Sequence, residues 1–497
     1  MKYCRELRFI MHRHNNKPHL EMKQTNVLST AIQIATLLAI AFASILFNSA
    51  EASDSGIGIY DKNPFYWTYD GEPFLPLGAT DDDNLFQMPD VAEHLDALVE
   101  AQGNYVRNTM SSRPDGGFEV RAHRRLANGK YDLDQWNPEF WRRFQSFLSE
   151  TAERDVIVQI ELWAFHDLFN TERHPGEWTN NPWNPDANVN YSVQNTTLKS
   201  NYDNNRERHD FFYTVPKLDH DPVVLSYQKA FVDKVLSYTL PHDHVLYCTT
   251  NEIHDHFSPE WGWYWAAYLK ERANEEGKRI HVTEMFQQKR FDHVQHLASF
   301  DHPGIYDFVE TSQNSGWQDE ENWSNLQYGR KLVSRHPRPM NAVKIYGANY
   351  GKPWGGDSND GVERFWRNIV GGCATSRFHR PPTGIGLSER AEANLRSMRM
   401  FTEYIVPWEA EPRPDLISTQ YPDYAYLLSK PGSFYGIYFP NGRGADLDLT
   451  DAPGTYSLKW LKIETSEWYG GDTIRGGAVR RVQTPHSSGW AAVIVRE

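Results

Sequence analysis

The segment HVLYCTTNE (244–252) decides how the chain folds. Its apolar and β-branched core predicts a short strand, and it stops on two polar residues, Asn251 and Glu252. On either side lie stretches of helical character, VVLSYQKAFVDKVLSYTL before it and PEWGWYWAAYLKERANEEG after it. Working outward, the same alternation repeats. Strands are predicted at FLPLGAT (74–80), GNYVRNTM (103–110), DVIVQIELW (155–163), RIHVTEMF (279–286), IYDFVETS (305–312), MNAVKIYG (340–347) and GCATSRFH (372–379). Further helices are predicted at PEFWRRFQSFLSETAER, NWSNLQYGRKLVSRH, GVERFWRNIV and SERAEANLRSMRMFTEYI. Strands that alternate with helices form βαβ units, and eight of them predict an α/β fold of the (β/α)8 TIM-barrel type. The sequence IYDKNPFYWTYDGEPFLPLGAT leads in with a hairpin that turns at Asp70-Gly71.

Past Pro407-Trp408 the pattern changes to short alternating strands broken by Gly, Pro and Asn, which predicts a small antiparallel β-sandwich. The expected division is a leader over 1–52, a barrel over 53–408 and a sandwich over 409–497. Residues 27–47 are the long apolar stretch of the chain; basic residues precede it and Ala50-Glu51-Ala52 follows, as in a cleaved signal peptide. Met22 heads a signal sequence of more ordinary length. Export to the periplasm, the medium or the cell surface is expected, with no stable membrane insertion after cleavage. Cys248 and Cys373 are widely separated and predict buried thiols, not a disulfide framework or a zinc site.

The charge of −14 comes without any Lys/Arg-rich run, which argues against a nucleic-acid partner. Hydrophobic residues at 39% exclude a disordered chain and a polytopic membrane protein. Aromatic residues reach 14%, with 17 Trp, and such rings suit surfaces that stack on sugars. The connection at 164–221 is long and rich in Trp, Asn, Pro and His, so an ordered loop over the active face is expected.

Barrel chemistry sits at the C-terminal ends of the strands. There the chain places Asp81–Asp83, Arg107, Glu161, Trp163, Asn251, Glu252, His254, Glu284, Glu310, Lys344, Tyr346, Arg377 and His379. A pair of carboxyl groups across a sugar is the minimal machinery for breaking a glycosidic bond. Any one Glu could instead be a salt-bridge partner of Arg107, Lys344 or Arg377. Arg377, His379 and Arg380 suit an anionic sugar as well as they suit pairing with nearby Asp. His166, His174 and His254 divide between site and surface roles. Trp163, Trp178, Trp183, Trp317 and Trp354 are candidates either for sugar stacking or for packing the loops. No metal and no cofactor are expected.

Asn251-Glu252 at the end of the fourth strand resembles the large clan of (β/α)8 retaining glycoside hydrolases. The resemblance extends to the opening hairpin, to Arg107 and to the appended sandwich. It is nearest to the apiosidase-like glycosidases, whose C-terminal module is labelled collagen-binding. It implies that Glu252 is the acid/base and that Asn251 binds the hydroxyl next to the anomeric carbon. The clan's second Glu ends the seventh strand, where this chain has NAVKIYG, with Lys344 and Tyr346. Glu310 is one replacement, possible with inverting geometry; Glu284, Asp357 or Asp360 are others; loss of hydrolysis is the third outcome. The function expected is an exported glycosidase acting on a neutral or anionic plant or algal polysaccharide or oligosaccharide. Glu252 and Glu310 are its catalytic pair, and Asn251, Arg107, Glu161, Trp163, His254, Glu284, Lys344, Tyr346, Arg377 and His379 are its substrate-binding residues. The alternatives are a glycan-binding protein or a polysaccharide lyase on the same scaffold.

Overall fold

The computed structural model describes residues 56–497 apart from 115, 171–176, 349–354, 442 and 487–488. The expected leader, His174 and Trp354 lie outside the described residues. Eight parallel strands form the barrel: β1 Leu77–Ala79, β2 Tyr105–Thr109, β3 Ile157–Ala164, β4 Val245–Asn251, β5 Val282–Thr283, β6 Val309–Glu310, β7 Met340–Asn341 and β8 Ser376–Phe378. The order β5-β4-β3-β2-β1-β8 is continuous, and β6 pairs with β7. Two links close the ring. Ile345, beyond β7, bridges to Phe378 on β8, and the Asp307 amide before β6 donates to Val282 O on β5 at 2.9 Å.

Each strand is followed by a helix: α1 Val91–Glu100, α2 Pro138–Ala152, α3 Pro222–Thr239, α4 Pro259–Glu275, α5 Val294–Phe300, α6 Asp319–Val333, α7 Ser358–Val370 and α8 Glu389–Thr402. Local chemistry sets their starts. Asp221 accepts from the amides of Val223 and Val224 at the head of α3, with Pro222 as its first residue. Asp357 and Asp360 form a reciprocal capping box on α7. Their carboxylates are therefore spent on the helix start and do not supply the second carboxylate.

The opening strands Ile57–Ile59, Trp67–Tyr69 and Glu72–Phe74 close the lower end of the barrel. Asp70 and Gly71 turn the hairpin with φ of +51° and +83°, the left-handed pair that a two-residue hairpin needs. Tyr66 and Trp67 plug the interior against Tyr105, Ile157, Leu246 and Phe308, and the Trp67 indole donates to Asn341 Oδ1 at 3.0 Å. Above this apolar plug the interior turns polar, which leaves the C-terminal mouth for chemistry. A hairpin at His123–Arg125 and Tyr131–Trp136, absent from the sequence expectations, lies between β2 and α2.

The sandwich has a six-stranded sheet and a three-stranded sheet. The larger contains β9 Glu411–Pro412, β11 Tyr426–Lys430, β12 Phe434–Phe439, β14 Thr455–Lys462, β15 Glu467–Arg475 and β17 Trp490–Arg496. The smaller contains β10 Ile417–Ser418, β13 Gly444–Asp448 and β16 Val479–Gln483. One face of the larger sheet packs on the smaller one. Its other face joins the core of the barrel. Trp366 on α7 stacks on Tyr438 with centroids 5.3 Å apart, and Trp323 on α6 meets Tyr426 at 4.7 Å.

Gly436 marks the closest approach of sheet and helix: a Cβ there would stand 2.4 Å from Phe401 Cζ and 2.8 Å from Ile405 side-chain carbons. Gly436→Val is therefore expected to destabilise the protein by about 1–3 kcal/mol through overpacking. A shift of that size in the urea-unfolding midpoint checks it.

Candidate functional site

Glu252 follows β4 with φ at +59°. A non-glycine residue in that region is held there by its surroundings at some energetic cost, a feature that gathers at working sites. Four side chains converge on its carboxylate. Oε1 accepts from Tyr346 OH at 2.6 Å, from Gln313 Nε2 at 2.8 Å and from the Lys344 ammonium in a short ion pair. Oε2 faces His166 Nε2 at 3.0 Å. Lys344 also donates to Asn251 Oδ1 at 3.1 Å. Asn251 thus faces the lysine that occupies the seventh-strand position. The Ser312 hydroxyl accepts from the amides of Val343 and Lys344 and so holds this part of the chain in place.

Burial raises the Glu252 carboxyl, yet the Lys344 ammonium and His166 outweigh it and hold the group well below the usual carboxylate range. A general acid must instead carry a proton near neutrality. The ion pair with Lys344 thus favours the charged form of the group to which the resemblance assigns the acid/base role.

A second set of charges lies on the other side of the mouth. Arg107 donates from Nε to Glu161 at 2.7 Å and from Nη1 to Asp83 in a short contact. Asp83 also accepts from Arg380 Nε at 2.7 Å and from Arg113 at 3.3 Å. Burial pushes Asp83 up, but Arg107 and Arg380 hold it well below the carboxylate range. Arg107 and Glu161 are fully buried, and their charged groups are engaged with each other and with Asp83.

The remaining expected residues separate. Glu310 points into the barrel, where Oε1 accepts from the Ser312 amide at 2.9 Å and Oε2 from Gln159 at 3.2 Å. Burial pushes it up to about 7, and none of its hydrogen bonds reaches Glu252. Glu284 turns outward between β5 and α4, close to Gly262 and Tyr306. It lines a cavity of about 100 Å³ with Phe257, Phe286 and Val294, and burial pushes it up to about 8. It is not part of the group around Glu252.

Arg377 is spent on Val343 O and Thr80 Oγ1, and burial pushes it down to about 9. His379 lies edge-on to Tyr346 at 5.4 Å. His254 stacks on Phe165 at 4.3 Å, and burial pushes it down to about 3. Trp163 is 4% exposed and enclosed by Trp183, Phe211, Phe231, Trp261 and Trp265. It is a core residue and offers no stacking face. Trp178 and Trp183 are likewise buried, whereas Trp317 is half-buried beneath the Lys289 ammonium. Gln313 and Ser312 carried no sequence signal, since they follow Glu310 in a turn of unremarkable composition. Among the described residues no three metal-ligating side chains converge.

The fold, a parallel barrel with an antiparallel sandwich appended, is shared with solved structures described as glycoside hydrolases. A solved structure described as a glycoside hydrolase superposes with a TM-score of 0.60 at 11% identity, covering 90% of this chain and 98% of the other. A family 5 glycoside hydrolase from Bacteroides vulgatus ATCC 8482 also superposes with a TM-score of 0.60, at 12% identity, over 89% and 94% of the two chains. No family model matches the sequence, and a search of curated proteins finds no match. No helix among the described residues is long and apolar enough to cross a membrane.

The Glu284 environment has a measurable consequence. A carboxyl whose folded pKa is raised contributes stability that is complete below its unfolded value and lost as pH rises through the folded value. With Glu284 the loss runs from about 4.5 to about 8. Glu284→Gln is expected to gain stability relative to the parent between pH 5 and pH 8.5, as measured by urea unfolding at the two values. An unchanged difference would contradict the burial assigned to this group.

Proposed function

We propose that the protein cleaves glycosidic bonds in a carbohydrate bound at the C-terminal mouth of the barrel. The observation that carries this is the buried carboxyl of Glu252 at the end of β4, held by Lys344, Tyr346 and Gln313. Glycosidic cleavage passes through an oxocarbenium-like transition state, and a fixed negative charge in a largely dehydrated site stabilises it. The barrel-and-sandwich architecture shared with glycoside hydrolases supports the same conclusion, and an exported enzyme acting on a plant or algal glycan is the setting we infer.

One observation favours a second function. The Lys344 ammonium stands where a second carboxylate is expected, and that arrangement suits a protein that binds glycan without cleaving it. Incubation with a panel of neutral and anionic polysaccharides separates the two. Release of reducing ends supports cleavage, saturable binding without release supports the second function, and products absorbing in the near ultraviolet indicate a lyase.

Glu252→Gln is expected to lower turnover by at least about a hundredfold while the fold and glycan binding persist. Full activity in that variant would remove Glu252 from the chemistry. Lys344→Met leaves burial unopposed by the ammonium, so the acidic limb of its pH–rate profile is expected to move to higher pH.

A further inference from the structure

We propose that the cavity between β5, α4 and α5 is a binding site for a primary ammonium ion carried on a short apolar chain, with the Glu284 carboxyl as its anchor. Glu284 lines this cavity together with Ile253, Phe257, Phe286, Val294 and Ala298. The site narrows from the surface to the acid. Val294 at the rim is 70% exposed, whereas Glu284 is 1% exposed. A buried carboxyl is ordinarily completed by hydrogen bonds or a counter-ion. Here Oε2 accepts from the Thr249 hydroxyl in a short contact, but Oε1 has no hydrogen-bond partner among the described residues.

The other polar groups of the lining decide what completes it. Gln295 donates from Nε2 to the carbonyls of Ile253 and His254, at 3.1 and 2.7 Å. Its Oε1 is buried and, among the described residues, also without a partner. Asp255 accepts from Gln288 at 2.6 Å, and the Ser258 hydroxyl donates to Glu260. The capacity left over is therefore acceptor capacity. Two carboxyl groups and an amide oxygen line the cavity, and no Lys, Arg or His does. Such a site disfavours anions and ligands that only accept. It matches an ammonium head, which carries three donors and no acceptor. The remaining lining is apolar, and the rings of Phe257 and Phe286 add surfaces to which a cation is attracted.

Size narrows the ligand further. The cavity measures about 100 Å³, and an apolar cavity of about 150 Å³ takes benzene, so an ammonium with about three or four carbons fits. The site borders the segment that carries Glu252 without joining its group. The two carbonyls held by Gln295 belong to the residues directly after Glu252. Ligand binding there does not depend on the cleavage function proposed above.

Calorimetric titration of the purified protein with n-butylammonium chloride tests the site, with n-butanol as the uncharged match and ammonium chloride as the head group alone. The wild-type protein is expected to bind one butylammonium per chain, at least about tenfold more tightly than butanol or the bare ammonium ion. Glu284→Gln removes the charge, and Ala298→Leu fills the cavity while keeping the carboxyl. Each variant, with a circular dichroism spectrum matching the parent, is expected to weaken butylammonium binding by at least about tenfold. Equal affinity for butylammonium and butanol would overturn the cationic ligand. Binding that survives both substitutions would overturn the site, and so would the absence of saturable binding by the wild-type protein, which would leave a cavity filled by solvent only.

Discussion

The ion pair between Lys344 and Glu252 is the constraint around which the mouth of the barrel is arranged. Removing two charges from water costs several kcal/mol per ion even after relaxation, so this pair persists only because neighbours complete it. Tyr346 and Gln313 fill the remaining positions on Oε1, Asn251 accepts from the ammonium, and Ser312 secures the backbone on which Lys344 stands. The pair joins the end of β4 to the segment after β7. It also sets the electrical state of the site, because a carboxylate next to an ammonium does not take up a proton near neutral pH.

A second buried cluster, built on Arg107, does for the wall what Lys344 does for the mouth. Its guanidinium links Asp83 after β1 to Glu161 on β3, and Arg380 after β8 completes Asp83. Four strand ends are thereby cross-braced by charge, above an apolar plug that excludes water from below. Of the four side chains that touch Glu252, His166 is the most exposed.

The barrel and the sandwich were legible because they depend on patterns that recur, whereas the hairpin at His123–Arg125 and Tyr131–Trp136 was not. Each barrel strand follows an apolar run, and most helix starts carry Pro, Asp, Asn or Ser, with His293 capping α5 instead. The direction of a side chain was much less legible. Glu284 lies next to Met285, which faces the barrel interior, and Glu310 lies two residues after Phe308, which does likewise, so strand alternation turns one outward and the other inward. Trp163 followed the compositional hint of sugar stacking, but an aromatic core of five neighbouring rings claimed it. The role of Glu252 depended on a partner 92 residues away, a contact that no local pattern announces. The contact between His166 and Glu252 arises from the fold in the same way.

The larger sheet of the sandwich has a consequence for the order in which this protein can be made. Strand β17 lies between β12 and β14, at the centre of the sheet, and the face of that sheet covers α7 and α8. A ribosome therefore delivers every barrel element well before the strand that completes the surface they pack against. The flank bearing Trp366 and Phe401 packs on Tyr438 and Gly436 of β12, and β12 in turn pairs with β17. Completion of the sheet over the barrel's flank thus waits for β17, and a chain interrupted short of it would expose apolar surface along that flank.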